Sequence, residues 1–468
     1  MKNLSRILIL VLCVALCLSM LAGCAKTATD TTEPAPAQTP AEQPAEEPAA
    51  EAPTAEEPAA EEPAEDVHLE VWFSDVLGTE KDLPESEWTI NKYARAFEAE
   101  NPGVTIDVIY QADQGMVQNK LKASVSSGTA PDIVNIFGGY MVTYYKDILT
   151  DITSYIPQDD LNNITGWETV SEGLKEGAPI YGYPEAGNEL GLFVYNKALA
   201  AQAGIDLEGE GAPKNAEEFK QMLHDVQDQG IQPILAKDGG ANSLFTFATG
   251  AWWTQLSGTD RIVSDSMAQT SFADDQGFID SISFAASLYS EGLVNEDYNN
   301  NQDAKNRFYN GECLMYPTGN WEIPTAREAL GDDLGIYCVP SFDGEVEAKQ
   351  FGGVGQAWGV LSTCEHPDIA VKFLSYISQK DYVITQVQAS GKAPQRKDVT
   401  AEDLGWAGDP VYEKVLEYCK NVVIWNDNAM QSDVANEYYT RSGMVIIGQI
   451  TAEECAKQLD EIAQDAAE

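Results

Sequence analysis

The chain has 468 residues, with 75 acidic side chains against 28 basic ones and a formal net charge of −47. A nucleic-acid binder needs a basic face to displace counterions from phosphate, and this balance excludes one. Only one apolar run approaches the roughly 20 residues of a membrane span, which excludes a polytopic membrane protein. A hydrophobic fraction of 44%, with 9 Trp, 20 Tyr and 14 Phe, excludes a wholly disordered chain. The length suits two to three domains.

Residues 1–24 open with Lys2 and Arg6, continue as the apolar run Ile7 to Ala22, and close on Leu21-Ala22-Gly23-Cys24. Charged, then apolar, then small is the order of a secretory signal. Leu-Ala-Gly-Cys resembles the lipobox of bacterial lipoproteins. That resemblance implies cleavage before Cys24, lipid (palmitate included) on its sulfur and new amino terminus, and an anchor on the outer face of the cell membrane. The competing reading is an ordinary signal peptide, or an uncleaved anchor whose Cys is incidental.

Residues 25–66 contain 13 Ala, 8 Pro, 12 acidic residues and one Lys. They offer too little apolar surface to offset chain entropy, so a disordered linker is expected. Proline and like-charge repulsion make it extended, and 42 residues reach at most about 130 Å. It reads as a stalk, or as a solvated tail with no spacing role.

Residues 67–468 carry the remaining charge of −38 and all nine Trp. Strand, helix and strand follow in turn: His68 to Phe73, a helix ending at Asn101-Pro102-Gly103, Val104 to Tyr110, a helix near 113–127, then Pro131 to Phe137. This is an α/β pattern with a mostly parallel sheet. The pattern restarts at Asn215, which with Glu218 forms a capping-box-like start for a helix with Phe219, Met222, Leu223 and Val226 on one face. A short strand at Ile234 and a helix near 277–291 follow. Strands are expected near 313–316, 335–339 and 356–361, a helix from Pro367 buries Ala370, Phe373, Leu374 and Ile377, and the last 60 residues read as mostly helical. This is too much chain for one core, so two lobes are expected.

Cys313, Cys338, Cys364, Cys419 and Cys455 remain after the signal and Cys24. Their odd number and lack of CxxC spacing match neither a disulfide framework nor a zinc site. His68, His224 and His366 form no HExxH, and no GxSxG or Walker loop is present. Gly353-Val-Gly355-Gln-Ala-Trp358 fails a dinucleotide fingerprint at its third glycine. The stretch Asp297 to Asp303 fails a calcium loop at Gln302 and Phe308. No cofactor and no metal are expected.

Four stretches carry a resemblance. They are Ser127-Gly-Thr-Ala-Pro-Asp-Ile133; Tyr181-Gly-Tyr-Pro-Glu185 with Leu192-Phe-Val-Tyr-Asn-Lys197; Phe308 to Trp321, which ends Gly-Asn-Trp; and Gly352-Gly-Val-Gly-Gln-Ala-Trp-Gly359. In this order they resemble the extracellular solute-binding proteins of carbohydrate ABC transporters, of the maltodextrin- and multiple-sugar-binding type. The resemblance implies a two-lobed, periplasmic-binding-protein-like α/β clamp with discontinuous lobes. Residues 67–185 and 341–393 would form one lobe, 186–340 and 394–468 the other. It further implies a monomer, no bond chemistry, a carbohydrate captured between the lobes, and delivery to an ABC permease.

Sugars are held by aromatic rings against their C–H faces and by carboxylates and amides on their hydroxyls. On that basis Trp321 is the first candidate, flanked by Asn320 and Glu322. Trp72 and Asp75 lie just past the first strand, where open α/β sheets bind ligands. Phe137 and Tyr140 end the Pro-Asp-Ile strand at the same edge, and Glu189 lies at the first crossing between lobes. Trp252 and Trp253 read as a polar loop with one ring facing the cleft. Gln356, Trp358, Arg396, Trp425 and Asp427 complete the set. Two alternatives stand beside the sugar reading: the same clamp for a peptide or polyamine, and a cell-surface glycosidase needing a carboxylate pair about 5 Å or 6.5–9.5 Å apart.

Overall fold

Alternation between Val67 and Phe73 builds the first strand, with Val67, Leu69, Val71 and Phe73 inward and His68 exposed. The computed structural model describes residues 66–74, 80, 83–111, 114–237, 244–298, 300–301 and 303–467. The signal segment, Cys24, the linker to residue 65 and Asp75 lie outside the described residues.

The strands run in chain order as β1 (Val67–Phe73), β2 (Val104–Tyr110), β3 (Ile133–Phe137) and β4 (Tyr183–Pro184). They continue as β5 (Gly187–Asn196), β6 (Gln232–Ile234), β7 (Cys313–Gly319), β8 (Leu334–Tyr337) and β9 (Gln350–Gly353). The last three are β10 (Gln356–Val360), β11 (Ala393–Pro394) and β12 (Val422–Val423). The first sheet has the order β2-β1-β3-β10-β4. β1 is parallel to β2 and β3, and β10 enters antiparallel between β3 and β4. Parallel pairing forces a helical crossover between strands. The helices Thr89–Glu100 and Gln114–Ser127 supply them.

The second sheet has the order β12-β9-β5-β7-β6, with β8 and β11 also paired to β5. β5 is its spine. Its first residues pair with β9 and β11, and its later residues with β7 and β8. From Leu190 to Tyr195 it is buried at every position, as its unbroken apolar run requires. Asn215 caps the Ala216–Asp228 helix by accepting from the Glu218 N–H at 2.9 Å. The return bond of that box goes one residue further back, from the Lys214 N–H to the Glu218 carboxylate at 2.8 Å.

The core against the first sheet takes its residues from Val67–Ala186 and from Val354–Trp406. The clusters about the second sheet draw on Leu190–Val339, Ala393 and Val411–Ala463. Exchange between cores therefore falls near 186–190, 351–354 and 406–411. Phe351 packs at a tilt on Trp425. Ala393 buries with the second lobe and β11 pairs with β5, while Leu404 and Trp406 bury against the first core. All five cysteines among the described residues are free, and burial pushes the thiols of Cys313, Cys364, Cys419 and Cys455 up to about 12. No described helix is long and apolar enough to cross a membrane.

Candidate ligand cleft

Because β1, β2 and β3 are parallel, their carboxyl ends share one edge of the first sheet. Phe137 ends β3 there, half-buried, and pairs with Gln356 at the start of β10. Tyr140 opens the next helix, half-buried, and burial raises its hydroxyl pKa. The same loop meets the other lobe. A side chain at Gly139, which sits at φ 69°, would come within 2.2 Å of the Asn428 carbonyl. Beside it, Ser432 Oγ lies 3.4 Å from Met141 Sδ.

The second lobe contributes two indoles. Trp321 is half-buried in the turn after β7, and its ring centroid lies 6.0 Å from that of Trp425, with planes 42° apart. Phe351 at 5.4 Å and Phe247 at 5.3 Å hold Trp425 from its other sides. The Trp425 indole N–H is buried and has no hydrogen-bond partner. Two residues on, Asp427 is half-buried and its Oδ1 is also unpartnered. Burial raises the Asp427 carboxyl to about 6, and the charge of Glu189 adds to the shift.

Glu189 enters from β5. Its carboxylate fills the space where a side chain at residue 355 would stand, within 2.1 Å of an added Cβ, so a larger residue there would displace it. Lys392 pairs with Glu189 at 3.2 Å and with Glu185 at 3.1 Å, its own side chain 4% exposed. One ammonium therefore ties the end of β4 to β5 and to the segment before β11. Sequence reasoning missed Lys392 and Glu185. They lie 207 residues apart, and no local spacing announces the pair.

Trp321 thus pairs with Trp425, Asp427 feels the charge of Glu189, and Glu189 reaches Gly355 beside Gln356. Several other expected residues do not join them. Asn320 is fully buried as a brace, accepting from the Leu190 N–H at 3.0 Å and donating to the Asn188 carbonyl at 3.1 Å. Glu322 accepts from the Tyr309 hydroxyl and pairs with Lys305 at 3.5 Å. Arg396 is held inside the first lobe by Asp398 at 2.8 Å and Asp160 at 3.4 Å. Trp358 is core, stacked on Phe73 at 5.7 Å. Trp72 is half-buried and donates to Glu70 at 2.8 Å.

Trp252 and Trp253 need the largest correction. They occupy no polar loop but the helix Leu244–Ser257, and both are buried. Their indole N–H groups donate to the Pro340 carbonyl at 2.9 Å and to Asp275 at 2.7 Å. A helix apolar on every side must be covered on every side. Here the second and third clusters cover it.

Two α/β lobes joined by three chain crossings, with aromatic and carboxylate groups such as Trp425 and Glu189 nearby, define a clamp-type binding protein. The chain belongs to the bacterial extracellular solute-binding proteins, whose family model matches residues 92–414. It is 21% identical over 326 residues to the multiple sugar-binding protein of Streptococcus mutans serotype c, covering 63% of this chain and 69% of that protein. A chitin oligosaccharide binding protein superposes with a TM-score of 0.72 at 21% identity, covering 86% of this chain and 99% of that one. The sugar-binding protein MalE of Xanthomonas citri superposes at 0.68 with 18% identity, covering 86% and 98%. These relatives are binding proteins, and the family is extracellular.

Proposed function

We propose that the chain captures a mono- or oligosaccharide between its lobes and delivers it to an ABC import permease, without bond chemistry of its own. The observation that carries this reading is the Trp321–Trp425 pair beside Glu189 and Asp427. The Trp321 indole, backed by Trp425, offers an apolar face to a sugar ring, and carboxylates accept from its hydroxyls. The names of the similar proteins, which include a multiple sugar-binding protein and a raffinose complex, point the same way. Phe137, Tyr140 and Gln356 would meet the ligand from the first lobe, and Trp72 at the end of β1 would extend that edge.

We assign the lobes as 67–186 with 354–406, and 190–351 with 411–467. Ligand contacts from both would favour the closed arrangement that a permease reads. Lipid on Cys24 would tether a monomer to the outer face of the membrane, with residues 25–66 as its stalk. A thermal-shift screen of neutral sugars, polyamines and peptides tests the cargo, since a ligand of the folded form raises Tm by mass action. Sugars should shift Tm in the wild type, and Trp321→Ala should reduce that shift. A cationic cargo is the second reading. Among the described residues Glu185 and Glu189 share one Lys392, and the charge of Glu189 acts on Asp427; a shift by amines alone would establish this reading.

A further inference from the structure

One short segment of each lobe touches the other. An added Cβ at Gly139 of the first lobe would stand 2.2 Å from the Asn428 carbonyl oxygen and 2.6 Å from the Asn428 Cβ, and Ser432 Oγ lies 3.4 Å from Met141 Sδ. Behind Gly139 the helix Tyr140–Tyr145 packs on the turn Asp427–Ala429. At Gly139 backbone therefore meets the other lobe directly, with no side chain to take up a change in spacing. When the lobes part, this contact is lost.

Asp427 sits in the turn that makes the contact. It is half-buried, and its Oδ1 and the hydroxyl of neighbouring Tyr439 are both buried without a hydrogen-bond partner. No cation answers its carboxylate. The helices Thr259–Ser266 and Ser432–Ile446 also pack on the turn, but Arg261 of the first pairs with Asp265 at 2.8 Å and Arg441 of the second with Glu437 at 3.0 Å. Lys392 is shared by Glu185 and Glu189. The other titratable groups of these elements are hydroxyls (Tyr140, Tyr144, Tyr145, Tyr438 and Tyr439) and carboxylates (Asp260 and Asp433), and none brings a positive charge.

An ionised carboxylate without water or a cation is costly to bury, so the contact favours the neutral acid. Burial raises the Asp427 carboxyl to about 6 against the pull of the Tyr439 hydroxyl, and the charge of Glu189 adds to the rise. Parting the lobes uncovers the turn on the first-lobe side, and hydration there favours the ionised form. We propose that the contact of residues 139–141 with 427–432 is a latch that holds the lobes closed, and that Asp427 takes up a proton as it shuts. The sign follows from linkage. A group that binds its proton more tightly in the closed state favours closure at low pH, and that aid is lost as pH rises through about 6. The proposal rests on the two lobes and not on the cargo of the cleft.

The test is energy transfer between dyes attached to azidophenylalanine in place of Ala123 and of Asp228, exposed residues of the first and second lobes, in the ligand-free full chain. The closed fraction should be roughly threefold or more higher at pH 5 than at pH 7.5. Asp427→Asn, neutral at every pH, should be as closed at pH 7.5 as the wild type is at pH 5. Gly139→Ala should lower the closed fraction at both pH values. Gly128→Ala is its control and should leave closure unchanged, because Gly128 has the same φ of 69° but an added Cβ there meets nothing within 4 Å. If Gly139→Ala does not fold, Ser432→Trp brings bulk to the contact from the other lobe and should open it likewise. A wild type equally closed at both pH values would overturn the proposal, as would a pH response that survives in Asp427→Asn. So would latch variants that remain as closed as Gly128→Ala. No ligand enters the test, so its failure leaves the cargo reading to the thermal-shift screen.

Discussion

At Trp321 the ring is half-buried, whereas its partner Trp425 is 5% exposed and walled by Phe351 and Phe247. Trp425 therefore serves as a floor and Trp321 as the accessible face. Trp321→Ala should weaken ligand binding at least tenfold, about 1.4 kcal/mol or more, and leave the urea midpoint nearly unchanged. Unchanged affinity in a calorimetric titration would remove Trp321 from the site.

Lys392 makes a different prediction. Removing one partner of a buried charge cluster costs about 3–5 kcal/mol, because the remaining charges stay desolvated. Lys392→Met should show that loss in urea unfolding, and a loss under 1 kcal/mol would mean that water reaches Glu185 and Glu189 freely. Asp427 gives a pH signature. Its folded carboxyl is raised to about 6, so its protonated form is favoured in the folded state. Its stabilising contribution is fully present below the ordinary carboxyl pKa and is lost as pH rises through about 6. The Tm of the wild type relative to Asp427→Asn should fall between pH 4 and pH 7, and a flat difference would contradict the assigned environment.

At the scale of elements, periodicity made much of the first sheet legible. The alternation in β1, the Asn101-Pro102-Gly103 stop and the Pro367 start all stand as read. The Leu244–Ser257 helix was not legible as a helix, since a mainly apolar window whose Thr and Gln fall on several faces, with adjacent tryptophans, shows no clear period. Trp252→Ala should cost about 3–5 kcal/mol in unfolding free energy, as for other buried aromatic truncations. Asn320 and Glu322 were misassigned for a related reason. Beside Trp321 they look like hydroxyl partners, but their bonds run to Leu190, Asn188 and Tyr309, none of them predictable from local spacing.

For the whole molecule, the two lobes were legible from the restart of the strand–helix pattern, and the crossing points less so. An exchange is set by which core a side chain enters, as Trp406 shows by burying in the first. The acidity that excludes nucleic acid does not choose a cargo, because most of it need not face the cleft. The amino-terminal reading makes its own prediction. Cys24→Ser should release the protein from the membrane fraction into the medium, and an unchanged distribution would contradict a lipid tether. The central claim, that the cleft holds a sugar on Trp321, is tested most directly by isothermal titration of neutral oligosaccharides into the wild type and Trp321→Ala. We predict saturable binding of at least one oligosaccharide, at least tenfold weaker in the variant. Equal affinity in both, or binding of amines or peptides with no sugar bound, would contradict it.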